Sequence, residues 1–482
     1  MRILEICLLL SELAVLLLFL LKPMLRFKNF KWLLFLPLLF LLMHGFVEGI
    51  RWQLVLAYGI AVLSALILFT PASIRFPRYI NIILISIAAV LVVISLLLGY
   101  LLPVFRLPEP SGSFTVGTTY LHLRDDTRSE TITSDSSDVR ELMVRAWYPS
   151  EEKTQETYPY LHPALTKVLA ENYGLPKFIL SHLDLVKTHS LPNASIASHE
   201  TPFPMIIFSP GYMTHSSMYT SLLETLASHG YMVFSIDYTY ETPVSIFPDN
   251  DLRFYDPDYT DVWKNASWDT VQASINAFRD ANDKATKRRH IEQYLTQVPF
   301  TDRVNQWTKD VNFVIDQLHS EGHPFFYKID QNNIGVMGNS VGGATSALAC
   351  ALDSRIKSGI NLDGSQWGSL MEHTITQPFM WITAEKNLAE SSEDIDSFIY
   401  NQVSRGDFDH LSIAHATHAN FYDLSLWSNY APLTQTGSID GHRMIKIVNQ
   451  CTLNFFNKHL KNEPIVIDHL TKEFNELVRK DR

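Results

Sequence analysis

The pentapeptide Gly338-Asn339-Ser340-Val341-Gly342 decides the fold of this chain and points to its chemistry. A short apolar run at 333–337 precedes it directly, and a segment rich in alanine follows it. A tight turn from a strand into a helix exposes a serine hydroxyl as a nucleophile, and flanking glycines let the backbone approach closely there. We therefore predict that Ser340 is a catalytic nucleophile rather than a helix-capping serine.

Apolar runs of strand length alternate with helical patterns on both sides of this pentapeptide. The predicted strands are at 114–123, 142–148, 203–209, 231–237, 334–337, 356–362, 379–383 and 410–414. The predicted helices are at 218–229, at 308–318, from 340 onward, and at 443–459. Strands that alternate with helices form a mostly parallel sheet with helices on both faces, so the sequence predicts an α/β fold.

The acid of a catalytic triad should follow the serine in the chain and precede the histidine. Two carboxylates have this position: Asp363 ends the strand at 356–362, and Glu385 follows the next strand. Both lie at the carboxyl ends of strands, where the sites of α/β proteins form. The residues alone therefore leave both acids open.

Three histidines, His410, His415 and His418, compete for the role of the general base. His418 lies furthest beyond the final strand, in a loop before the closing helices, so we predict that it is the base. His410 and His415 are predicted to be strand or surface residues. The three do not form a His-Glu-x-x-His pattern and no second acid cluster accompanies them, so neither a metal nor another cofactor is predicted.

Two backbone N–H groups are needed to stabilise the oxyanion of an acyl-transfer reaction. The turn at Ser340 supplies one of them, from Val341. The loop after the strand at 203–209 supplies the other, from Tyr212, because Pro210 has no N–H to donate. We predict Tyr212 and Val341 as the oxyanion donors.

The charge of the chain is divided unevenly along its length. Of 39 Lys/Arg and 50 Asp/Glu residues, nine basic and four acidic ones lie in the first 110 positions, which leaves 30 basic and 46 acidic residues in the remainder. Nucleic-acid binding needs clustered Lys and Arg, so this balance argues against nucleic acid as a partner. The three cysteines are far apart in sequence, which argues against a disulfide framework or a zinc site.

Four apolar stretches precede residue 105, at 3–21, 32–48, 53–70 and 80–102. A bilayer core requires about 20 apolar residues, and the third and fourth stretches are long enough to span it. The first is sufficiently apolar despite Glu5 and Glu12, whereas Pro37 interrupts the second. We predict a transmembrane region of about four helices at 1–105, which has membrane lipids as its partners. No small-residue cleavage site follows the first stretch, which argues against a cleaved signal peptide.

The basic residues between these stretches predict the orientation in the membrane. With four spans, six of them lie on one side: Lys22, Arg26, Lys28, Lys31, Arg75 and Arg78. Three, Arg2, Arg51 and Arg106, lie on the other. The positive-inside rule places the six in the cytoplasm. We expect a multi-pass integral membrane protein whose catalytic domain is extracytoplasmic, an orientation that reverses if the second stretch is only re-entrant.

The chain beyond the apolar region divides into a linker and a catalytic domain. The stretch at 106–113 contains Pro, Gly and Ser and predicts a linker, followed by a catalytic domain at 114–482. A polar, aromatic-rich insertion at 239–299 carries an amphipathic pattern near 267–295. This insertion is either a lid over the site or an ordinary surface excursion.

Several segments together resemble the platelet-activating factor acetylhydrolase family of serine-dependent enzymes. They lie at 112–117, 145–149, 208–211, 226–230, 338–344, 361–363 and 418–421. The resemblance implies an α/β-hydrolase fold without a calcium requirement, and it favours Asp363 over Glu385 as the acid. It also supports His418, Tyr212 and Val341 in their predicted roles. The family usually has histidine where this chain has Asn339 and Pro210, which leaves the substrate open.

Ester hydrolysis through an acyl-serine intermediate is the function that these features favour, on a lipid-like or small ester substrate. A peptidase, an amidase or a polyester hydrolase with the same triad is the alternative among enzymes. A catalytically silent hydrolase domain that acts as a membrane receptor or scaffold is the alternative from another class.

Overall fold

A computed structural model describes residues 1–21, 30–69, 77–154, 156–256, 266–386 and 393–480. The chain forms two compact units. The first consists of Met1–Arg106, Pro159–Lys187 and Leu426–Leu433, and the second of Leu107–Tyr158, Thr188–Ser425 and Thr434–Arg482. Two short segments of the first unit therefore come from the range predicted for the catalytic domain.

A ten-stranded sheet is the centre of the second unit, in the order β12-β11-β10-β9-β8-β4-β5-β2-β1-β3. Its strands are β1 (Thr115–Ser129), β2 (Val139–Ser150), β3 (Ser190–Pro192), β4 (Phe203–Ser209), β5 (Met232–Tyr238), β8 (Ile329–Asn339), β9 (Ile356–Leu362), β10 (Phe379–Lys386), β11 (Phe408–Thr417) and β12 (Leu477–Arg479). A separate hairpin pairs β6 (Val244–Ile246) with β7 (Leu252–Phe254).

Six neighbouring strands of the sheet run parallel, as the alternation of strands and helices predicts; they are β5, β4, β8, β9, β10 and β11. Strands β2 and β12 pair antiparallel with β5 and β11. Every residue of β5 is buried, because helices cover both faces of a parallel sheet. The α/β fold is thereby confirmed.

The helices that the structure describes flank this sheet or lie in the first unit. They are α1 (Ile3–Leu21), α2 (Leu36–Val47), α3 (Val55–Leu66), α4 (Arg78–Leu101), α5 (Pro163–Asn172), α6 (Thr220–Ser228), α7 (Trp268–Asp280), α8 (Lys284–Gln297), α9 (Thr301–Leu318), α10 (Val341–Leu352), α11 (Glu393–Val403), α12 (Ala431–Thr434), α13 (Gly441–Leu460) and α14 (Asp468–Glu473). Helix α9 buries Val304, Trp307, Val311 and Val314, whose spacing of three and four residues forms one apolar face.

The insertion at 239–299 contains the β6–β7 hairpin and two helices, α7 and α8, that pack on each other. Helix α7 buries Val271, Ile275 and Phe278 on one face, as the amphipathic pattern near 267–295 predicts. The segment at 257–265, which includes part of the aromatic and acidic sequence of the insertion, lies outside the described residues.

Two helices among the described residues are long and apolar enough to cross a membrane. They are Ile3–Leu20, with a mean hydropathy of 2.6, and Arg78–Leu101, with a mean hydropathy of 3.1. The prediction of four spans is not supported, because α2 and α3 have only 12 residues each. A helix of that length extends about 18 Å, and a bilayer core is about 30 Å thick.

Short 3-10 helices explain why the second and third apolar stretches do not form long α-helices. Phe30–Phe35 precedes α2, whose first turn contains Pro37, while Trp52–Leu54 and Ile67–Phe69 flank α3. The two loops at 22–29 and 70–76, which carry four of the six basic residues predicted to be cytoplasmic, lie outside the described part of the chain.

Buried ion pairs join the helices of the first unit at one end. Arg51 donates to Glu5 Oε2 at 2.7 Å and to the carbonyl oxygen of Leu102 at 2.8 Å. Arg2 donates to the carbonyl oxygen of Gly49 at 2.9 Å and also binds Glu5. The start of α1, the connection between α2 and α3, and the end of α4 therefore lie together.

The two distant segments of the first unit are bound to this same end. The indole Nε1 of Trp52 donates to the carbonyl oxygen of Ile179 at 3.0 Å. The side chain of Asn429 donates to the carbonyl oxygen of Tyr100 at 2.7 Å. The compact helical unit thus includes the segments 159–187 and 426–433.

Candidate active site

Ser340 lies between the end of β8 and the start of α10, in a backbone conformation that few residues other than glycine adopt. Its φ is 57° and its ψ is −124°. Such a conformation is strained for a residue with a side chain, and it persists only where the surrounding structure imposes it. The Ser340 N–H donates to the carbonyl oxygen of Leu362 at 3.0 Å, and its own carbonyl oxygen accepts from the Gly343 N–H at 2.9 Å.

The two glycines of the pentapeptide make this turn possible. A Cβ atom on Gly338 would lie 2.1 Å from the carbonyl oxygen of Gly342. A Cβ atom on Gly342 would lie 2.0 Å from the carbonyl oxygen of Ser209, at the end of β4. Both neighbours are backbone atoms, so neither position can carry a side chain without a shift of the main chain.

Asp363 and His418 form the closest acid–base pair at this edge of the sheet. Asp363 Oδ2 lies 2.7 Å from His418 Nδ1, and Asp363 Oδ1 accepts from the Ala384 N–H at 2.8 Å. Asp363 is buried, while the His418 side chain is 15% exposed. Since the carboxylate binds Nδ1, the Nε2 atom of His418 is available for proton transfer.

The competing acid and histidines have other partners. Glu385 Oε2 accepts from the backbone N–H of His415, and both side chains are at least half exposed. His410 stacks on Trp381 with 4.1 Å between ring centroids. Burial, together with the charge of Lys480, lowers the pKa of His410 to about 4. Among the described residues, the structure brings His418 rather than His410 or His415 to Asp363.

The segment Pro210-Gly211-Tyr212 follows β4 and lies against Ser340, the predicted nucleophile; we call it the oxyanion loop after the role predicted for Tyr212. A Cβ atom on Gly211 would lie 3.4 Å from Ser340 Cβ. The Tyr212 ring makes an edge contact with Phe300, at 5.1 Å between centroids. Val341 is the first residue of α10, so its N–H belongs to the helix N-terminus beside Ser340. Both predicted donors therefore come from segments adjacent to the nucleophile.

Aromatic rings form a cluster beside the oxyanion loop, in which Phe300 and Tyr294 are buried while Tyr212 and Trp367 are partly exposed. Phe300 stacks on Trp367 at 4.8 Å between centroids, and the Trp367 Nε1 donates to the Tyr294 hydroxyl at 2.9 Å. Burial raises the pKa of Tyr294, so the hydroxyl stays neutral. Tyr294 belongs to α8, so the insertion contributes to this aromatic cluster.

The sequence predicted no role for four residues that shape the site. The side chain of Asn361 accepts from the Gly364 N–H at 2.8 Å and donates to the Tyr400 hydroxyl at 2.7 Å, which holds the turn after β9. Asn339 and Tyr219 bind each other beneath the oxyanion loop. Asn339 and Asn361 lie in segments that carry the family resemblance, at 338–344 and 361–363, but no local pattern marks Tyr219 or Tyr400.

One group of potential metal ligands occurs in the described part of the chain, formed by Glu5, His44 and Glu48. Their ligand atoms lie within 4.8 Å of one another. Arg2 and Arg51 already bind Glu5, however, so their charges oppose the binding of a cation. We assign no metal to this cluster.

Comparison with known families finds one match that covers most of the chain. The model of the family described as platelet-activating factor acetylhydrolase, isoform II, matches residues 102–476. A platelet-activating factor acetylhydrolase from Canis lupus familiaris is 26% identical over 373 residues, which cover 74% of this chain and 77% of the relative. A probable 1-alkyl-2-acetylglycerophosphocholine esterase from Arthroderma benhamiae is 26% identical over 277 residues, which cover 55% of this chain and 60% of the relative.

A solved structure with the same fold is also an esterase. The ferulic acid esterase from Streptomyces cinnamoneus superposes with a TM-score of 0.61 at 25% sequence identity. The superposition covers 79% of this chain and 100% of the esterase. The catalytic fold is thus shared with enzymes that cleave carboxylic esters.

Proposed function

This chain belongs to the platelet-activating factor acetylhydrolase isoform II family, and we propose that it hydrolyses phospholipid-like or short-acyl lipid esters through Ser340, His418 and Asp363. The family makes it a serine ester hydrolase. The residue assignment rests on the 2.7 Å contact between Asp363 Oδ2 and His418 Nδ1. The Ala384 N–H holds the other oxygen of the Asp363 carboxylate.

In the proposed reaction, Ser340 Oγ attacks the ester carbonyl while His418 Nε2 accepts its proton. The Asp363 carboxylate orients the imidazole and stabilises its positive charge. The N–H groups of Tyr212 and Val341 stabilise the oxyanion of the tetrahedral intermediate. His418 then gives the proton to the leaving alcohol, which leaves an acyl group on Ser340. Water, deprotonated by His418, releases the carboxylic acid and restores the serine.

The substrate class rests on the names of the relatives and on the aromatic cluster beside the oxyanion loop. A related protein is named for the ester 1-alkyl-2-acetylglycerophosphocholine, which joins a short acyl group to a lipid. The partly exposed rings of Tyr212 and Trp367, which pack on the buried Phe300, would contact an apolar group that projects from the reacting carbonyl. A lipid-like ester offers such a group.

We also propose that the helices α1 and α4 anchor the protein in a membrane and that a linker at 106–113 leads to an extracytoplasmic catalytic domain. This domain lies within 114–482 and excludes 159–187 and 426–433, which belong to the helical unit. Only 17% of α4 is buried, and most of its exposed side chains are apolar. The contacts of Arg2 and Arg51 hold the start of α1 and the end of α4 on one side. The choice of side rests on the positive-inside rule, which assigns Lys22, Arg26, Lys28, Lys31, Arg75 and Arg78 to the cytoplasm. We propose that the insertion at 239–299 is a lid.

The experiment that tests the catalytic proposal is an assay of p-nitrophenyl esters of increasing acyl length. Wild type is expected to prefer short acyl chains, and Ser340→Ala is expected to retain the fold but lose turnover by a factor of about 10⁴ or more. Equal rates for the two proteins would contradict the proposal. A fluorophosphonate probe should label wild type and leave Ser340→Ala unlabelled.

A further inference from the structure

Asn339, the residue before the nucleophile, is fully buried and connects two loops of the site. Its Nδ2 donates to the carbonyl oxygen of Leu362 at 2.8 Å, directly before Asp363. Its Oδ1 accepts from the hydroxyl of Tyr219 at 2.9 Å. Because the nitrogen of this amide is bound to Leu362, its oxygen must face Tyr219, and only a donor can satisfy it.

Tyr219 continues this connection to the oxyanion loop. Its hydroxyl accepts from the Gly211 N–H at 3.0 Å, while it donates to Asn339. The ring is only 1% exposed and packs against Phe208, with 4.7 Å between centroids. Burial raises the pKa of Tyr219, so the hydroxyl keeps the proton that it donates.

The oxyanion loop, the nucleophile and this hydrogen-bonded pair meet at Gly211. A Cβ atom built there would lie 3.1 Å from Asn339 Oδ1, 3.2 Å from the Tyr219 hydroxyl and 3.4 Å from Ser340 Cβ. Thr214 Oγ1 holds the carbonyl oxygen of Gly211 at 2.6 Å, while the Gly211 N–H is held by Tyr219, which Asn339 connects to the carbonyl of Leu362. Tyr212, the proposed oxyanion donor, is the next residue in the chain.

We propose that Asn339 and Tyr219 are positioning residues that fix the oxyanion loop relative to Ser340 and to the turn that carries Asp363. This inference rests on the proposed function, since it presupposes the nucleophile Ser340 and the donor Tyr212. Neither side chain reaches the substrate, because both are buried. They act through the placement of the Tyr212 N–H, and a displacement of about 1 Å in such a group can lower the rate on the order of 100-fold.

Tyr219→Phe removes a single oxygen atom and thereby tests the proposal with little change in volume. It leaves the Gly211 N–H and Asn339 Oδ1 without this partner. We expect kcat to fall about 10- to 100-fold while KM changes less than twofold, because oxyanion donors act mainly on the transition state. A trifluoromethyl ketone forms an adduct with the serine that carries an oxyanion. Its affinity for Tyr219→Phe should be lower than for wild type, by the same factor by which kcat/KM is lower.

Tyr231→Phe is the matched control. Tyr231 is equally buried, and its hydroxyl also donates to an asparagine oxygen, Asn457 Oδ1, at 2.6 Å. It precedes β5, at the edge of the sheet opposite the carboxyl ends that carry Ser340 and Asp363. The control should lose a similar amount of thermal stability and keep its kcat. Equal kcat values for Tyr219→Phe and Tyr231→Phe would overturn the proposal.

A double-mutant cycle separates a shared connection from two independent structural effects. If Asn339 and Tyr219 act as one unit, Asn339→Ala combined with Tyr219→Phe should lower kcat no more than the stronger single variant does. If the fold-decrease in kcat of the double variant equals the product of the two single decreases, the proposal is overturned. Failure of the catalytic assignment is distinguishable, because Ser340→Ala would then remain active. An inactive Ser340→Ala together with an unimpaired Tyr219→Phe would reject the positioning role alone.

Discussion

Asp363 Oδ1 accepts a hydrogen bond from the Ala384 N–H at 2.8 Å, so the acid is fixed by the strand that follows it in the chain. The second carboxylate oxygen is thereby directed at His418, at 2.7 Å. The same strand, β10, ends beside Glu385, the acid that competes for this role. The backbone of β10 thus orients Asp363 toward His418, while Glu385, on the same strand, does not contact that histidine.

Asp363→Asn is expected to lower kcat by a factor of about 10⁴, because the amide would favour the wrong tautomer of His418. Glu385→Gln should change kcat less than threefold, since that carboxylate binds the exposed His415. Steady-state kinetics on a short p-nitrophenyl ester compares the two variants. The reverse ranking would assign the acid to Glu385.

Gly338→Ala and Gly342→Ala are each expected to lower the free energy of unfolding by about 3 kcal/mol or more, because the new methyl group would overlap a backbone oxygen. Gly322→Ala is the matched control, since a Cβ atom built on Gly322 has no neighbour within 4 Å apart from the adjoining residues of the chain. Denaturant unfolding of the three variants in the same detergent gives the comparison. A stability of Gly342→Ala equal to that of Gly322→Ala would show that the backbone at the nucleophile is not tightly packed.

Ser340→Gly should be more stable than Ser340→Ala by about 1 kcal/mol, because glycine adopts a φ of 57° without strain. Both variants lack the nucleophile and should be inactive. Thermal unfolding of the two proteins measures the strain that the active enzyme retains. If alanine proves as stable as glycine, the turn holds no such strain.

The stability of the catalytic unit should fall as the pH drops from about 6.5 toward 4, in part because of His410. Burial lowers its pKa in the folded state to about 4, so the unfolded chain binds a proton first as the pH decreases. The contribution of His410 is therefore fully present above pH 6.5 and is lost below it, by at most about 3 kcal/mol. His410→Gln should flatten the dependence of the unfolding free energy on pH in this window. An unchanged slope would indicate that His410 is not neutral in the folded protein.

The proposed membrane orientation can be tested with cysteines and a maleimide that does not cross membranes. Glu151 is exposed in the catalytic unit, so Glu151→Cys should be labelled in intact cells. Lys28→Cys, in the loop predicted to be cytoplasmic, should be labelled only after the cells are permeabilised. The native chain measures the background from its three cysteines. Labelling of Lys28→Cys but not of Glu151→Cys in intact cells would reverse the orientation.

The sequence predicted the elements whose signal is local. The alternation of strands and helices, the pentapeptide around Ser340 and the position of Asp363 at a strand end all lie within short windows. The three-residue strands β3 and β12 were not predicted, because so few residues show no periodicity. The apolar composition at 53–70 suggested one long helix, but it does not reveal the 3-10 turns that bound α3.

Connections between distant residues were beyond what the sequence could predict. Asn339 and Tyr219 are 120 positions apart, and Tyr219 lies in an ordinary helical pattern. Only the sheet order, which places β4 beside β8, brings their side chains together.

The contacts of Trp52 with Ile179 and of Asn429 with Tyr100 have a practical consequence for isolating the enzyme in water-soluble form. Removing residues 1–106 would delete the donor to Ile179 and the acceptor of Asn429, although both remaining residues lie far along the chain. The cut would uncover part of 159–187 and 426–433, where Tyr173, Phe178, Tyr430 and Leu433 are already exposed. The shortened protein would therefore tend to aggregate, and solubilising the whole chain in detergent is the safer route to an active enzyme.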